Sequence, residues 1–192
     1  MNYTNSEIKN ILSQKLSSQR YLHTLGVCEV AVELAEKFGT DKQKAYLAAL
    51  LHDCAKYMDT DKQLEYAKKL YVTLNEEDLE CPPVIHAPLG AEIARAEYGI
   101  DDEEVLNAIK YHTVARENMS KLDKIIYTAD MIEPTRNFDG VDELRRIAFE
   151  DLDKGFAECL KTSLMFNIMR NKKIHSNSLK SWNSILQKGS NI

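Results

Sequence analysis

The stretch DKQKAYLAALLHDCAKY, from Asp41 to Tyr57, decides how this 192-residue chain is read. Asp41 offers a side-chain oxygen to the first turn of a helix. Ala45, Ala48, Ala49 and Leu51 follow at helical spacing, so a helix is predicted from Asp41 to about Tyr57. Near its end stands the pair His52-Asp53. Lys56, four residues after His52 and three after Asp53, shares their face of a regular helix, whereas Cys54 points about 100° away from Asp53. Gly39, just upstream, is the expected stop of the preceding helix.

The same periodicity extends in both directions. Ile8, Ile11, Leu12 and Leu16 mark one helix, and Leu22, Leu25, Val30, Leu34 and Phe38 the next. Downstream, a short helix is predicted from Asp61 to Leu70, then a break at Pro82 and Pro83, then a helix from Pro88 to Tyr98 closed by Gly99. Asp101 or Asp102 caps a helix running to about His112, and Ser120 begins another that Pro134 closes. Two more run from about Val141 to Phe149 and from Asp153 to Asn171; the last fifteen or so residues, rich in Ser, Asn, Lys and Gly, read as a polar tail. Seven glycines and four prolines are roughly half the usual share, which favours long helices and excludes a β-sandwich. The expected architecture is all-α, a helical bundle forming a single domain over residues 1–192, with a motif core at about 20–140 and C-terminal helices at 141–188 packed on it.

Composition narrows the partners. The formal charge of −5 argues against a DNA- or RNA-binding face, which needs a basic surface to displace counterions, but permits a local basic pocket. Cys28, Cys54, Cys81 and Cys159 form no C-x-x-C pair and are expected as free thiols. The N-terminal MNYTNSEIKNILSQKL lacks a basic then apolar leader, and the longest apolar run, Ala45 to Leu51, is too short to span a bilayer. A cytoplasmic protein with no membrane partner, monomeric or homodimeric, is expected.

Four of the five histidines have distinctive settings. His23 starts its helix and His52-Asp53 end the next, so an antiparallel pair brings them to one end; His86 precedes a helix start, His112 ends the following helix, and Asp130 lies in the last turn before Pro134. Alternating helices thus deliver His23, His52, Asp53, His86, His112 and Asp130 to one end of an up-and-down bundle, where facing side chains build metal sites. Imidazole with carboxylate and no thiolate suits iron, manganese or zinc better than calcium. Six ligands exceed the needs of one tetrahedral ion, and a carboxylate such as Asp53 can bridge two. Two neighbouring divalent ions can activate water and hold a phosphoryl group, so the expected chemistry is hydrolysis of a phosphoester or phosphoanhydride. His175, in the polar tail, is read as an ordinary surface or hydrogen-bonded histidine.

Taken in order, His23, His52-Asp53 and Asp130 resemble the H…HD…D motif of the HD-domain metal-dependent phosphohydrolases. Within them the chain is most similar to the YqeK family, which splits symmetrical dinucleoside tetraphosphates. R-Y-x-H-T, L-L-H-D-x-A-K, H-x-P-x-G-A, H-T and A-D-x-I-E-P-x-R-x-F-x-G are all present between Arg20 and Gly140. The resemblance implies an HD-domain bundle, one ion held by His23, His52, Asp53 and Asp130, a second held by Asp53, His86 and His112, and iron as the metal. It also implies a small-molecule dinucleoside polyphosphate or other nucleotide as partner, with diadenosine tetraphosphate converted to two ADP.

Around the ligands, Asp53, Lys56 and His112 are the expected catalytic residues, Lys56 as phosphate ligand or proton donor to the leaving oxygen. Arg20, Lys56, Thr113, Glu133 and Arg136 are the expected substrate contacts, with Glu133 also able to orient a ligand and Arg136 to pair with Glu133; Arg116 is a weaker candidate. No G-x-G-x-x-G, P-loop or G-x-S-x-G pattern is present. Two readings compete with this one. One is an HD-type hydrolase of dNTPs, cyclic nucleotides or guanosine alarmones; the other is a non-catalytic nucleotide-binding module, which a full ligand set disfavours.

Overall fold

The computed structural model describes residues 3–187, so the outermost positions of the expected domain, 1–2 and 188–192, lie outside the described residues. Among those described, the chain forms α1 (Asn5–Lys15), α2 (Ser18–Phe38), α3 (Lys42–Leu51), α4 (Thr60–Lys69), α5 (Glu76–Glu80), a 3-10 turn (Pro82–Val84), α6 (His86–Tyr98), α7 (Glu103–Tyr111), α8 (Lys121–Ile132), α9 (Val141–Glu150), α10 (Leu152–Met169) and α11 (Ser176–Gln187), with no strand. Side-chain oxygens open most of them: Ser17 caps α2, Asp41 α3, Asp102 α7, Ser120 α8 and Asp151 α10. Gly39 and Gly99 end α2 and α6 at φ 66° and 72°, the left-handed region that glycine enters without strain.

α2, α3, α7 and α8 pack on one another around the core, α6 covers α7, and α9 and α10 close the α8 side. Leu34, Leu50, Leu51, Leu89, Ile109, Ile125 and Ile126 are fully buried between them. α10 approaches α9 so closely that a Cβ on Gly155 would lie 2.4 Å from the Cα of Ala148. No helix among the described residues is long and apolar enough to cross a membrane.

Three expectations change. The helix predicted to reach Tyr57 stops at Leu51, and residues 52–57 are turns closed by i−3 bonds, Cys54 N–H to Leu51 and Lys56 N–H to Asp53 among them. In such turns residues three apart eclipse, so Lys56 shares a side with Asp53 but not with His52. α6 begins at His86, two residues before the expected Pro88, because the 3-10 turn already sets the helical direction. The polar tail is helical over Ser176–Gln187, and His175 before it is the hydrogen-bonded histidine of its two readings, its ring 3.2 Å from Asp78, but buried rather than at the surface. Trp182 and Ile185 pack against the core and supply the apolar face that so polar a segment conceals.

Candidate metal centre

Three of the four histidines are steadied by the turn that carries them. Nδ1 of His52 lies 2.6 Å from the carbonyl of Ala49, that of His86 2.8 Å from Pro83 and that of His112 2.7 Å from Ile109, each three residues back. A carbonyl only accepts, so each Nδ1 carries a proton and each ring turns its Nε2 inward. His52 and His112 stand at the C-caps of α3 and α7, and their rings also satisfy carbonyls that a helix end leaves open. His23, inside α2, instead donates Nδ1–H to Glu133 Oε1 at 3.0 Å, across 110 residues of sequence.

The four Nε2 atoms converge on Asp53. Its Oδ2 lies 3.7 Å from His23 and 3.4 Å from His52, while Oδ1 lies 3.2 Å from His86 and 3.7 Å from His112. His23 Nε2 is 3.3 Å from His52 Nε2 and 3.1 Å from Asp130 Oδ1, and His86 Nε2 is 3.2 Å from His112 Nε2. Imidazole nitrogens and carboxylate oxygens thus crowd into one small volume, a donor set that a cation can share. His23, His52 and Asp130 form one group able to hold a metal and His52, Asp53 and His112 another. The donor set of imidazole and carboxylate fits a divalent transition ion.

Electrostatics point the same way. Burial alone pushes the Asp53 carboxyl upward, yet the surrounding His52, His112 and His86 hold it well below the usual carboxylate range. Burial also opposes ionisation of Asp130, and the hydrogen bond from His23 with the charge of Arg136 outweighs it, so Asp130 is likewise lowered. Burial depresses His86 to about 4, keeping it a neutral donor ring. For His23 burial pulls the other way from Asp130 and Glu133, which prevail and raise it.

The other expected residues divide into two groups. Arg20 Nη1 sits 2.7 Å from Asp53 Oδ2, and Arg136 binds Asp130 through Oδ1 at 2.6 Å and its carbonyl at 2.8 Å; both guanidinium groups remain about one-third exposed. With His23 and Phe138 they line a cleft of about 360 Å³. Lys56 is half-buried, and burial lowers its pKa against the pull of Asp53. Glu133, expected among the substrate contacts, has no exposed surface: besides His23 it accepts from the backbone N–H and hydroxyl of Thr135, both at 2.6 Å, and so orients a ligand. Arg116 is taken by Asp123 at 2.7 Å. Thr113 lies away from this cleft, in the wall of a second cavity that Pro83 and Asn167 also line.

Two supporting residues escape any spacing argument. A Cβ on Gly26 would lie 2.7 Å from Glu133 Oε2, so glycine on α2 one turn after His23 makes room for the carboxylate; a glycine inside a long helix is the signal that marks such a close approach. Arg145 on α9 donates to the carbonyls of Ile132, Glu133 and Arg136 at 2.8, 3.0 and 2.8 Å and fixes the turn after α8; nothing in the sequence singles it out.

The HD domain family matches residues 20–135. A symmetrical bis(5'-nucleosyl)-tetraphosphatase of Bacillus subtilis is 40% identical over 174 residues, covering 90% of this chain and 92% of the relative. One from Halalkalibacterium halodurans is 40% identical over 178 residues, 92% and 94% of the two chains. The crystal structure of a predicted HD superfamily hydrolase involved in NAD metabolism from Clostridium acetobutylicum superposes with a TM-score of 0.94 at 40% identity, over 98% of this chain and all of that one. The His and Asp residues of the cluster all fall inside the matched segment, and with such relatives spanning nine-tenths of its length the chain belongs to the HD-domain family.

Proposed function

We propose that this protein hydrolyses dinucleoside tetraphosphates symmetrically, adding water across the central anhydride of diadenosine tetraphosphate to give two ADP. The observation that carries the reading is Asp53, whose two oxygens face two separate imidazole pairs, His23 with His52 and His86 with His112. A shared carboxylate between two donor sets is what two adjacent divalent ions require. One would be held by His23, His52, Asp53 and Asp130, the other by Asp53, His86 and His112. Iron is the metal the family resemblance implies, and manganese or zinc also suit these donors. Such ions, when bound, supply Lewis acidity at the phosphate oxygens and lower the pKa of the attacking water. The relatives named as symmetrical tetraphosphatases support the choice of substrate.

The chain's own groups supply the rest. Arg20 and Arg136 are exposed enough to take phosphate oxygens while holding Asp53 and Asp130. Lys56, near both carboxylates and with its pKa lowered, is the group with a proton to give: as water oxygen bonds to one inner phosphorus and the central P–O bond breaks, its ammonium protonates the departing ADP oxygen, and the proton that the water sheds to solvent is matched by one that Lys56 takes back. Asp53 and His112, enclosed and facing each other, act by fixing the metal-binding geometry. Incubation of metal-loaded protein with diadenosine tetraphosphate should yield ADP alone. ATP plus AMP, or faster turnover of dNTPs, cyclic nucleotides or alarmones run in parallel, would overturn the substrate. Near-zero bound metal after anaerobic purification would favour a binding module.

A further inference from the structure

We propose that the cavity between α10, α11 and the turn before α6 receives the second nucleoside of the dinucleotide, placing the two halves of the substrate in two clefts that flank the two halves of the metal centre. This rests on the dinucleoside reading above. The cavity measures about 440 Å³, within the range of small-molecule pockets, and is separate from the 360 Å³ cleft of Arg20 and Arg136.

Its walls grow out of the His86–His112 side. Pro83, whose carbonyl holds the His86 ring, lines it, and so does Thr113, the residue after His112. Pro82, Pro83, Val84 and Val114 present an apolar surface suited to a flat base or a ribose. Opposite them the polar groups are under-used. Thr113 Oγ1 is buried with no hydrogen-bond partner among the described residues. Asn167, half-buried on α10, makes no side-chain hydrogen bond there and can pair with the edge of a base. The Lys172 ammonium lies 5.5 Å from the Phe166 ring and has no carboxylate partner, leaving it for phosphate. Lys173 is paired with Glu80 at 2.9 Å, but both side chains are more than half exposed, so that bridge yields readily. A substrate cut at its centre has a nucleoside to place on each side of the cut; the 360 Å³ cleft is walled by His23 itself, and this cavity by Pro83 and Thr113, which neighbour His86 and His112.

Asn167→Trp fills the cavity from the largely exposed last turn of α10 and leaves the metal ligands untouched. Its kcat/KM on diadenosine tetraphosphate should fall about tenfold or more, while that on adenosine tetraphosphate, which lacks the second nucleoside, should change less than about twofold. Lys172→Ala should show a smaller version of the same split, restored by Lys172→Arg. Equal losses on both substrates, or none, overturn the proposal. ADP binding to the metal-loaded protein reads the cavity without turnover. The wild type should show two classes of site and Asn167→Trp one, and a single class in both overturns it. If the wild type does not split diadenosine tetraphosphate at all, the functional reading fails, and the ADP titration alone decides the cavity. Circular dichroism of each variant checks that the helices persist.

Discussion

On the His86–His112 side of the cluster both rings lean on main-chain carbonyls three residues back and have almost no exposed surface, whereas on the other side only His52 does so, and His23 and Asp130 depend on other side chains. His23 is oriented by Glu133, 110 residues away, and Asp130 is gripped by Arg136. Asp130 keeps 19% of its side chain exposed and the two arginines about twice that. A ring held by its own turn is in place as soon as the turn forms. A ring held by a carboxylate from another helix is in place only when the whole bundle is, and every member of that chain can be altered separately. The open side is therefore both the approach for phosphate and the more tunable half.

The variant that erases the distinction is Asp53→Asn, which weakens the link between both halves; metal content by elemental analysis should drop and hydrolysis should fall to background. Glu133→Gln attacks only the long-range half. It should cost roughly 10–100-fold in metal affinity or activity with the helical signal intact, and an effect below twofold would show that His23 needs no carboxylate behind it. Gly26→Ala pushes on the same carboxylate from α2 and should destabilise by about 1–3 kcal/mol in a thermal or urea melt. The smallest effect is in titration. In metal-free protein, His86 should stay neutral to about pH 4 and His23 should remain protonated above the ordinary 6.5, read from ring proton shifts by NMR. The signs are opposite. His86 contributes stability that is present above pH 6.5 and lost as pH falls toward 4, and His23 contributes stability present below 6.5 and lost as pH rises through its raised value. Parallel titration of the two rings would erase the asymmetry.

What was legible in the chain follows the same division. His52, His86, His112 and Asp53 sit at helix ends that Asp41, Asp102, Pro88 and Gly99 announce, so local rules placed them together. Periodicity could not show that α3 stops at Leu51, because the stop is made by an imidazole bonding back to Ala49, which no propensity encodes. Glu133 could be named from its spacing to Asp130, but its enclosure by Thr135, His23 and Gly26 is a tertiary fact. Arg145 was invisible for the same reason: its three carbonyl partners lie at least nine residues away. α11 hid behind composition, since only one side of it meets the core.

Both α3 and α7 end at a histidine of the cluster, and this has an electrostatic consequence. The aligned peptide dipoles of a helix leave the equivalent of roughly half a negative charge at its C-terminus. Two such ends meet where Asp53 and Asp130 already concentrate anionic charge, so the backbone itself adds to the attraction for cations. A monovalent or neutral occupant would leave that field partly uncompensated, and the fold thereby selects for ions of higher charge before any ligand bond is counted.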